Sequence, residues 1–176
     1  MIGTNLLVGK RVSLRAMEPE DLEVLYILEN DTKLWEISSV NVPYSRNLLK
    51  QFITKGSHDI YTDGQLRLMV ESIEDGTVIG MCDLVNFNPR HRRVEIGIVL
   101  SEDYRNIGMG TEVLQLMENY VRHFIHLHQI YAYVAVTNEA SLRLFAKSGY
   151  HDSCLLKDWL NTSEGYVDTK IFQKIF

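Results

Sequence analysis

The sequence of 176 residues predicts a mixed α/β fold in a single domain. Segments with strand-like alternation and segments with helical periodicity follow one another in the order β-α-α-β-β-β-α-β-α-β-β. No internal repeat, low-complexity tract or Pro/Gly/Ser linker divides the chain, and its length suits one domain with a real core. A hydrophobic fraction of 45% and a charged fraction of 23% are typical of a globular protein.

The first part of the chain contains a strand and two helices. Residues Gly9–Met17 alternate as a strand does. A helix is expected over Glu18–Asp31, because Pro19 suits a first helical position and apolar residues follow at helical spacing. A second helix is expected over Tyr44–Gly56, with Ser45 as its N-cap and Gly56 past its end.

The middle of the chain predicts a β section followed by a helix and a strand. Two strand-like runs within Gln65–Phe87 flank Asp75-Gly76, which is a hairpin turn signal. A third run covers Arg92–Leu100. A broad apolar stripe predicts a helix over Thr111–His126, and the β-branched and aromatic run Gln129–Asn138 predicts a buried strand.

The last part of the chain predicts a short helix and two strands. The helix is expected within Asn138–Gly149, with Asn138 as its cap and Gly149 as its stop. The strands Tyr150–Trp159 and Tyr166–Phe176 flank Gly165. These elements complete the mixed α/β pattern.

Composition excludes several classes of function. The net charge of −5 argues against a non-specific nucleic-acid binder. Cys82 and Cys154 are the only cysteines, so neither a disulfide framework nor a metal site is expected. The N-terminus lacks the apolar core of a signal peptide, and no apolar run suits a bilayer. We therefore expect a cytoplasmic protein with no nucleic-acid or membrane partner.

A glycine turn carries the strongest functional signal. Residues Arg105–Gly110 lie between the predicted strand Val94–Leu100 and the helix that follows. Backbone N–H groups at such a turn converge at the positive end of a helix and bind anions. Gly108 and Gly110 allow close approach of the backbone, and Arg105 adds a positive charge. The alternative is a tight turn in which the glycines serve geometry alone.

Two common phosphate motifs do not match this turn. Val113 occupies the third glycine position of the dinucleotide fingerprint G-x-G-x-x-G. No Gly-Lys-Ser/Thr follows, so the turn is not a Walker loop. The pattern Arg-x-x-Gly-x-Gly after a strand is therefore distinct from both of these phosphate-binding motifs.

The segment "YRNIGMG" resembles the R/Q-x-x-G-x-G/A pyrophosphate loop of the GNAT superfamily of N-acetyltransferases, which use acetyl-CoA. The segment "TNEASLRLFAKSGY", Thr137–Tyr150, resembles the family's pantetheine-side motif. The resemblance implies one domain over residues 1–176, with a mixed, mostly antiparallel sheet and helices on both faces. It also implies that the strands around Ile98 and Val136 splay apart to form the acetyl-CoA cleft. Within the superfamily, the chain looks most like spermidine or diamine acetyltransferases, with the ribosomal-protein N-terminal branch next.

The resemblance also implies a set of cofactor contacts. The thioester is expected at the backbone of Ile98–Leu100, and the pyrophosphate at Arg105 and the amides of residues 106–111. Asn138 is assigned to the pantetheine arm and, with Glu95, to the catalytic residues; its other role is a plain helix cap. The complete expected cofactor set is Ile98, Val99, Leu100, Arg105, Asn106, Ile107, Gly108, Met109, Gly110, Thr111, Asn138, Ser141, Leu144 and Lys147. No metal is expected.

Glu95 is the expected general base, directly or through a water. The alkylammonium of an amine substrate has a pKa of about 10 and must lose a proton before it attacks. By alternation, Glu95 shares a strand face with Gly97 and Val99. A carboxylate on an interior strand is unusual unless it is paired or functional. The alternatives are a salt bridge to Arg92 or Arg93 and simple exposure.

The expected general acid departs from the family pattern. Many family members have a tyrosine at this point of the motif as the acid for the leaving thiolate, and this chain has Phe145. Phenylalanine has no proton to donate. Three alternatives stay open: another group donates the proton, the thiolate leaves unprotonated, or catalysis is weak. Tyr131, Tyr133 and Tyr104 are the candidate donors, each with a structural role as the alternative.

The expected substrate is a small-molecule amine, bound by acidic residues of the N-terminal third. Glu29, Asp31 and Glu36 lie at the end of the first helix and in the loop after it, and Trp35 can pack on a methylene chain or an ammonium group. Two rival functions stay open: acetylation of a protein or peptide N-terminus, and a non-catalytic acyl-CoA sensor. Assembly into a homo-oligomer is left open as well.

Overall fold

A single mixed β-sheet organises the fold. The computed structural model describes residues 6–35 and 42–176. Within them the sheet has seven strands, in the order β1-β2-β3-β4-β5-β7-β6, and only β4 and β5 pair in parallel. The strands are β1 (Val12–Arg15), β2 (Leu66–Ser72), β3 (Val78–Asn88), β4 (Arg93–Leu100), β5 (Gln129–Ala135), β6 (His151–Thr162) and β7 (Gly165–Ile175). The mixed, mostly antiparallel sheet is confirmed.

Helices cover both faces of the sheet, as expected. They are α1 (Leu22–Glu29), α2 (Thr32–Trp35), α3 (Arg46–Lys55), α4 (Ile60–Asp63), α5 (Met109–His123) and α6 (Glu139–Lys147). In the described part of the chain, none of them is long and apolar enough to cross a membrane. Helices α2 and α4 were not predicted, because four residues are too few to show helical periodicity.

Several predicted boundaries require correction. Pro19 opens a 3₁₀ turn over Pro19–Asp21, so α1 begins later than expected. Helix α5 begins at Met109 instead of Thr111 and ends at His123 instead of His126. Strand β6 continues to Thr162 because the turn before β7 is tight. Predicted helix and strand ends commonly err by such small amounts.

The predicted local signals are present. The Ser45 hydroxyl accepts a hydrogen bond from the Leu48 N–H at 3.2 Å and so caps α3. The Asp75-Gly76 turn joins β2 to β3, and Gly76 has a φ of +72°. A left-handed φ of this kind favours glycine.

Two hydrophobic clusters lie on opposite faces of the sheet. Helices α5 and α6 pack on one face, in a cluster that includes Leu84, Ile96 and Leu114. Helices α1 and α3 pack on the other face, where Met69 and Met81 are buried. Val99 points to this second face, which it shares with Glu95.

Strands β4 and β5 pair only at their beginnings. The paired residues are Arg93 with Gln129, Val94 with Ile130, and Glu95 with Tyr131. Beyond these pairs, β5 hydrogen-bonds only to β7 in the described structure, while β4 remains paired to β3. The predicted splay is therefore confirmed, and its vertex lies at Glu95 and Tyr131.

Candidate active site

The glycine turn has two left-handed residues. Asn106 has a φ of +61°, and Gly108, the N-cap of α5, has a φ of +89°. The first N–H groups of a helix have no partner within the helix, so they remain available to an anion at this end. A glycine is favoured at position 108 because the backbone there is left-handed. Gly110 serves packing, because a Cβ there would lie 3.3 Å from Leu144 Cδ2 of α6.

Arg105 ties the turn to the end of β4. Its Nε donates a hydrogen bond to the Leu100 carbonyl at 2.7 Å. The residue is exposed at the cleft wall. The guanidinium is therefore held in place by one hydrogen bond and keeps further N–H donors for a ligand.

A cleft of about 410 Å³ opens between the end of β4 and the N-termini of α5 and α6. It brings together all but two of the predicted cofactor residues. The predicted residues that line it are Ile98, Val99, Leu100, Arg105, Asn106, Gly108, Gly110, Thr111, Asn138, Ser141, Leu144 and Lys147. The side chains of the other two lie elsewhere: Ile107 is 52% exposed, and Met109 packs against the core.

The charge of this cleft suits a phosphate ligand. Besides Arg105 and Lys147, the lining includes Lys33 and Arg143, which sequence reasoning missed, and Asp31 is its one acidic residue among the described ones. Lys33 is ion-paired to Glu102 and Arg143 to Glu139, each at 3.0 Å. Arg105 and Lys147, next to the N-terminus of a 15-residue helix, are the cations that fit the phosphates of acetyl-CoA. Lys33 and Arg143 carried no motif signal, because one comes from α2 and the other from an ordinary surface position of α6.

Asn138 both caps α6 and lines the cleft, the two positions that the sequence predicts for it. Its Oδ1 accepts a hydrogen bond from the Ser141 N–H at 3.1 Å, which caps α6. The same residue lines the cleft. The cap is confirmed, and the contact with the pantetheine arm and the catalytic role stay predictions.

Glu95 lies at the vertex of the splay and is partly buried. Its carboxylate accepts a hydrogen bond from Asn86 Nδ2 at 2.7 Å. Burial raises the pKa of Glu95, and the Asn86 hydrogen bond lowers it by a smaller amount. Neither Arg92 nor Arg93 forms an ion pair with Glu95 in the described structure; the Arg92 Nε donates to the His126 carbonyl instead.

Open space adjoins Glu95 on its face of β4. A Cβ built on Gly97 would meet no atom within 4 Å. The cleft lining reaches Ile98, the next residue along β4. Gly97 therefore leaves open space on the face of Glu95, whereas the Ile98 side chain packs against the cluster on the opposite face.

Phe145 lies in the hydrophobic core. It is 5% exposed and packs against Tyr150 and Phe172, with ring centroids 5.0 and 6.0 Å away. Of the candidate substitutes, Tyr104 packs against the core and Tyr133 stacks on Trp159.

Tyr131 differs from these two because it is the direct partner of Glu95 across the strand pair. Burial raises the pKa of Tyr131, and the charge of Glu95 raises it further. The hydroxyl therefore keeps its proton at neutral pH, and the residue is the strand neighbour of the expected base.

The predicted substrate residues do not form one group. The Glu29 carboxylate is ion-paired to Arg67, and its side chain is 10% exposed. The Trp35 Nε1 donates to the Glu29 carbonyl at 2.8 Å, which makes Trp35 an anchor for the end of α1. Asp31 lines the cleft that holds the predicted cofactor residues. Glu36 lies outside the described residues.

Arg67 connects Glu29 to a second carboxylate on the same sheet face. Its Nε and Nη2 donate to the two oxygens of Asp83, each at 2.7 Å, and Asp83 is the strand partner of Gly97. Glu29 and Asp83 thus share one arginine, whereas Glu95 on the same sheet face is hydrogen-bonded to Asn86. Within the described ranges, no group of three or more His, Cys, Asp or Glu side chains is arranged to hold a metal ion.

Comparison with known proteins gives a consistent result. The model of the acetyltransferase (GNAT) domain family matches residues 11–151. A spermidine N(1)-acetyltransferase of Escherichia coli K12 is 30% identical over 140 residues, which cover 79% of this chain and 72% of that protein.

Two solved structures of Vibrio cholerae proteins have the same fold. Spermidine N-acetyltransferase in complex with CoA and spermine is 24% identical, with a TM-score of 0.83, covering 95% of this chain and 96% of that one. A dodecameric structure of spermidine N-acetyltransferase is 25% identical, with a TM-score of 0.79, covering 95% of each chain.

Proposed function

The chain belongs to the GNAT family of acetyl-CoA-dependent N-acetyltransferases, and from this premise we propose that its acceptor is a polyamine or diamine such as spermidine. The observation that carries the proposal is the position of Glu95. This carboxylate lies at the vertex of the splay, beside open space at Gly97, on the same strand whose later residues Ile98–Leu100 line the cleft.

The cleft residues supply the acetyl-donor site. We assign the pyrophosphate of acetyl-CoA to the turn around Gly108, with Arg105 and Lys147 nearby, and the pantetheine arm to the wall that includes Asn138. The bound cosubstrate supplies the acetyl thioester. Backbone groups of Ile98–Leu100 orient it, because β4 has no β5 partner at these positions.

Glu95 removes a proton from the incoming ammonium group, directly or through one water. The neutral amine then forms the new C–N bond, the C–S bond breaks, and CoA leaves as a thiolate that takes up a proton. The raised pKa of Glu95 suits this task, because a base is most effective when its pKa approaches the working pH. No covalent bond to the protein is needed, so Cys82 and Cys154 have no role in it.

The same face of the sheet supports a cationic acceptor. Glu29 and Asp83 are both ion-paired to Arg67 there, and Glu95 adds a third carboxylate on the same face, hydrogen-bonded to Asn86. Carboxylates on this face attract an extended amine with several ammonium groups. The name of the Escherichia coli relative agrees with this choice.

We infer that Tyr131 provides the proton to the leaving thiolate in place of the absent tyrosine at position 145. Its position opposite Glu95 supports this role. After donating, the phenolate can be reprotonated by Glu95, which has received the proton of the amine. Both groups then return to their starting states after one turnover.

Assembly and location are part of the same proposal. A homo-oligomer is proposed because a Vibrio cholerae relative of the same fold is dodecameric. A cytoplasmic location, one domain over residues 1–176 and the lack of metal, nucleic-acid and membrane partners stay predictions from the sequence.

The test is release of free thiol from acetyl-CoA with spermidine, spermine, short diamines and a set of N-terminal peptides. It is paired with calorimetric titration of CoA into the wild type and Gly108→Trp. Turnover with polyamines, together with loss of CoA binding in Gly108→Trp, supports the proposal. Turnover with peptides alone moves the function to N-terminal acetylation, and tight CoA binding without turnover on any amine moves it to a sensor. Absence of CoA binding by the wild type overturns the assignment of the cleft.

A further inference from the structure

The N-terminal turn before β1 is attached to the glycine turn. Arg11 Nη1 donates a hydrogen bond to the Ile107 carbonyl at 2.8 Å, and its Nη2 lies 3.1 Å from the position that a Cβ of Gly108 would take. Arg11 Nε also donates to Glu112 Oε2 at 3.3 Å. One guanidinium therefore contacts the middle of the turn and the first turn of α5.

Glu112 is unfavourably placed for a phosphate site. Its carboxylate belongs to the first turn of α5, whose positive end is the proposed anion site. A negative charge there complements the helix dipole in the free protein but repels a bound phosphate. The site requires that this charge be neutralised or turned away.

The N-terminal turn meets this requirement. Glu112 Oε1 accepts hydrogen bonds from the backbone N–H groups of Lys10 and Arg11, the latter at 2.9 Å. A side chain on Gly9 would collide with the same carboxylate, so glycine permits the approach. Burial raises the pKa of Glu112, but these N–H groups and the guanidinium together hold it below the ordinary value.

We propose that Arg11 is a positioning residue of the acetyl-CoA site, which holds the Ile107 carbonyl outward and neutralises Glu112 so that the turn accepts the pyrophosphate. The argument rests on the proposed placement of acetyl-CoA. It assigns a function to a residue about a hundred positions away in the chain from the glycine motif.

The inference predicts that loss of Arg11 and loss of the Glu112 charge have different effects on CoA binding. Removal of Arg11 leaves the Glu112 carboxylate uncompensated beside the phosphates, in addition to freeing the turn. Removal of the Glu112 charge leaves the turn anchored by Arg11 and makes the guanidinium more available to phosphate. A purely structural salt bridge has no such asymmetry, because loss of either partner breaks the same contact.

The experiment is calorimetric titration of CoA, and of pantetheine as a ligand without phosphates, into Arg11→Ala, Glu112→Gln and the double variant. We expect Arg11→Ala to weaken CoA binding by about tenfold, as the loss of one charge-assisted contact does, and to leave pantetheine binding unchanged. Glu112→Gln is expected to bind CoA at least as tightly as the wild type. The double variant is expected to recover part of the loss.

A matched control comes from an exposed ion pair whose two residues do not line the cleft. Arg46 pairs with Glu23 at 2.8 Å with both side chains more than half exposed, so Arg46→Ala removes a similar surface contact. Arg11→Lys keeps the charge and loses the forked geometry, and it is expected to recover binding only in part. Thermal unfolding of each variant checks that it is folded.

Three results overturn the inference. The first is an Arg11→Ala variant that binds CoA as tightly as the wild type. The second is a Glu112→Gln variant whose CoA affinity falls as much as that of Arg11→Ala, and the third is an Arg11→Ala variant that loses pantetheine affinity as much as CoA affinity. Each of these results would leave Arg11 with a purely structural role. Absence of CoA binding by the wild type is a different result, because it removes the proposed function itself. The titration needs no amine, so the two failures are distinguishable.

Discussion

Glu95 and Tyr131 are the last residues that pair across β4 and β5, and the two strands separate immediately beyond them. Parallel strands that stay paired would cover the backbone of β4 and leave no entry for a ligand. At this vertex, a carboxylate with a raised pKa lies beside a phenol that keeps its proton. The proposed base and the proposed acid are thus strand partners at the point where β4 and β5 separate.

Glu95→Gln is expected to lower kcat/KM for the amine by about a hundredfold or more, because general-base catalysis contributes at least that much. The amide can still accept a hydrogen bond, so CoA affinity should be unchanged in calorimetry. Glu74→Gln, in the exposed turn between β2 and β3, is the matched control. A Glu95→Gln enzyme with wild-type turnover would remove Glu95 from the mechanism.

The pH profile of kcat/KM tests the environment of Glu95. Activity needs the ionised carboxylate, so the rate rises as pH rises through the pKa of Glu95, which burial raises above its ordinary value. Asn86→Gly removes the hydrogen bond that favours the ionised form and tolerates the φ of +52° at this position. The acid limb of the variant should therefore move to higher pH. A limb that stays in place would mean that another group controls it.

Gly97 should determine how large an amine can reach Glu95. Gly97→Ala is expected to keep nearly full activity, since a Cβ there meets no atom within 4 Å. Gly97→Leu fills the open space and should raise KM for spermidine by about tenfold or more while CoA affinity stays unchanged. Steady-state kinetics with a short diamine and with spermidine measure the effect. Equal KM values in the wild type and Gly97→Leu would place the amine elsewhere.

The fold and the glycine turn could be predicted from the sequence because both depend on local signals. The left-handed Gly108, the Asn138 cap and the alternation around Glu95 are each readable within a few residues. The ion pair of Glu29 with Arg67 joins residues far apart in the chain, and no local pattern indicates it.

Arg11 and Phe145 are two further residues whose contacts could not be predicted from local sequence patterns. Arg11 reaches the turn only because β1 folds beside α5, and nothing in its neighbourhood marks it as part of a site. The motif aligned Phe145 with a functional position, but only the structure shows that it packs among aromatic rings in the core. Contacts distant in sequence are set by tertiary packing, which periodicity does not encode.

Asp21 should be important for stability. Its carboxylate accepts two hydrogen bonds from Arg15, at 2.7 and 2.9 Å, and one from the Glu18 N–H at 2.8 Å. Asp21→Asn is expected to lower the free energy of unfolding by about 2 kcal/mol, because the buried amide is a weaker partner for the half-buried Arg15, which keeps its ion pair with Glu71. Urea unfolding measures the loss. Glu23→Gln breaks an exposed pair and should cost about 0.5 kcal/mol or less.

The pH dependence of this loss has a definite sign. Burial raises the pKa of Asp21, but the Arg15 and Glu18 hydrogen bonds outweigh it and hold the folded-state pKa below the unfolded value. Its contribution is therefore present above the unfolded pKa and is lost as pH falls through the folded-state pKa. The stability difference between wild type and Asp21→Asn should be largest near neutral pH and should narrow in acid.

Tyr131→Phe tests the proposed acid, and Tyr166→Phe, in an exposed position of β7, is its control. Tyr131 lies opposite Glu95, whereas Tyr166 is 68% exposed. We expect Tyr131→Phe to lower kcat by about tenfold or more with acetyl-CoA, because the thiolate then leaves without a positioned proton. An acetyl thioester with a more acidic thiol needs less help in leaving, so the defect should shrink with such a donor. A structural defect would be the same with both donors, and a wild-type rate in Tyr131→Phe would show that the thiolate departs unprotonated or is served by another group.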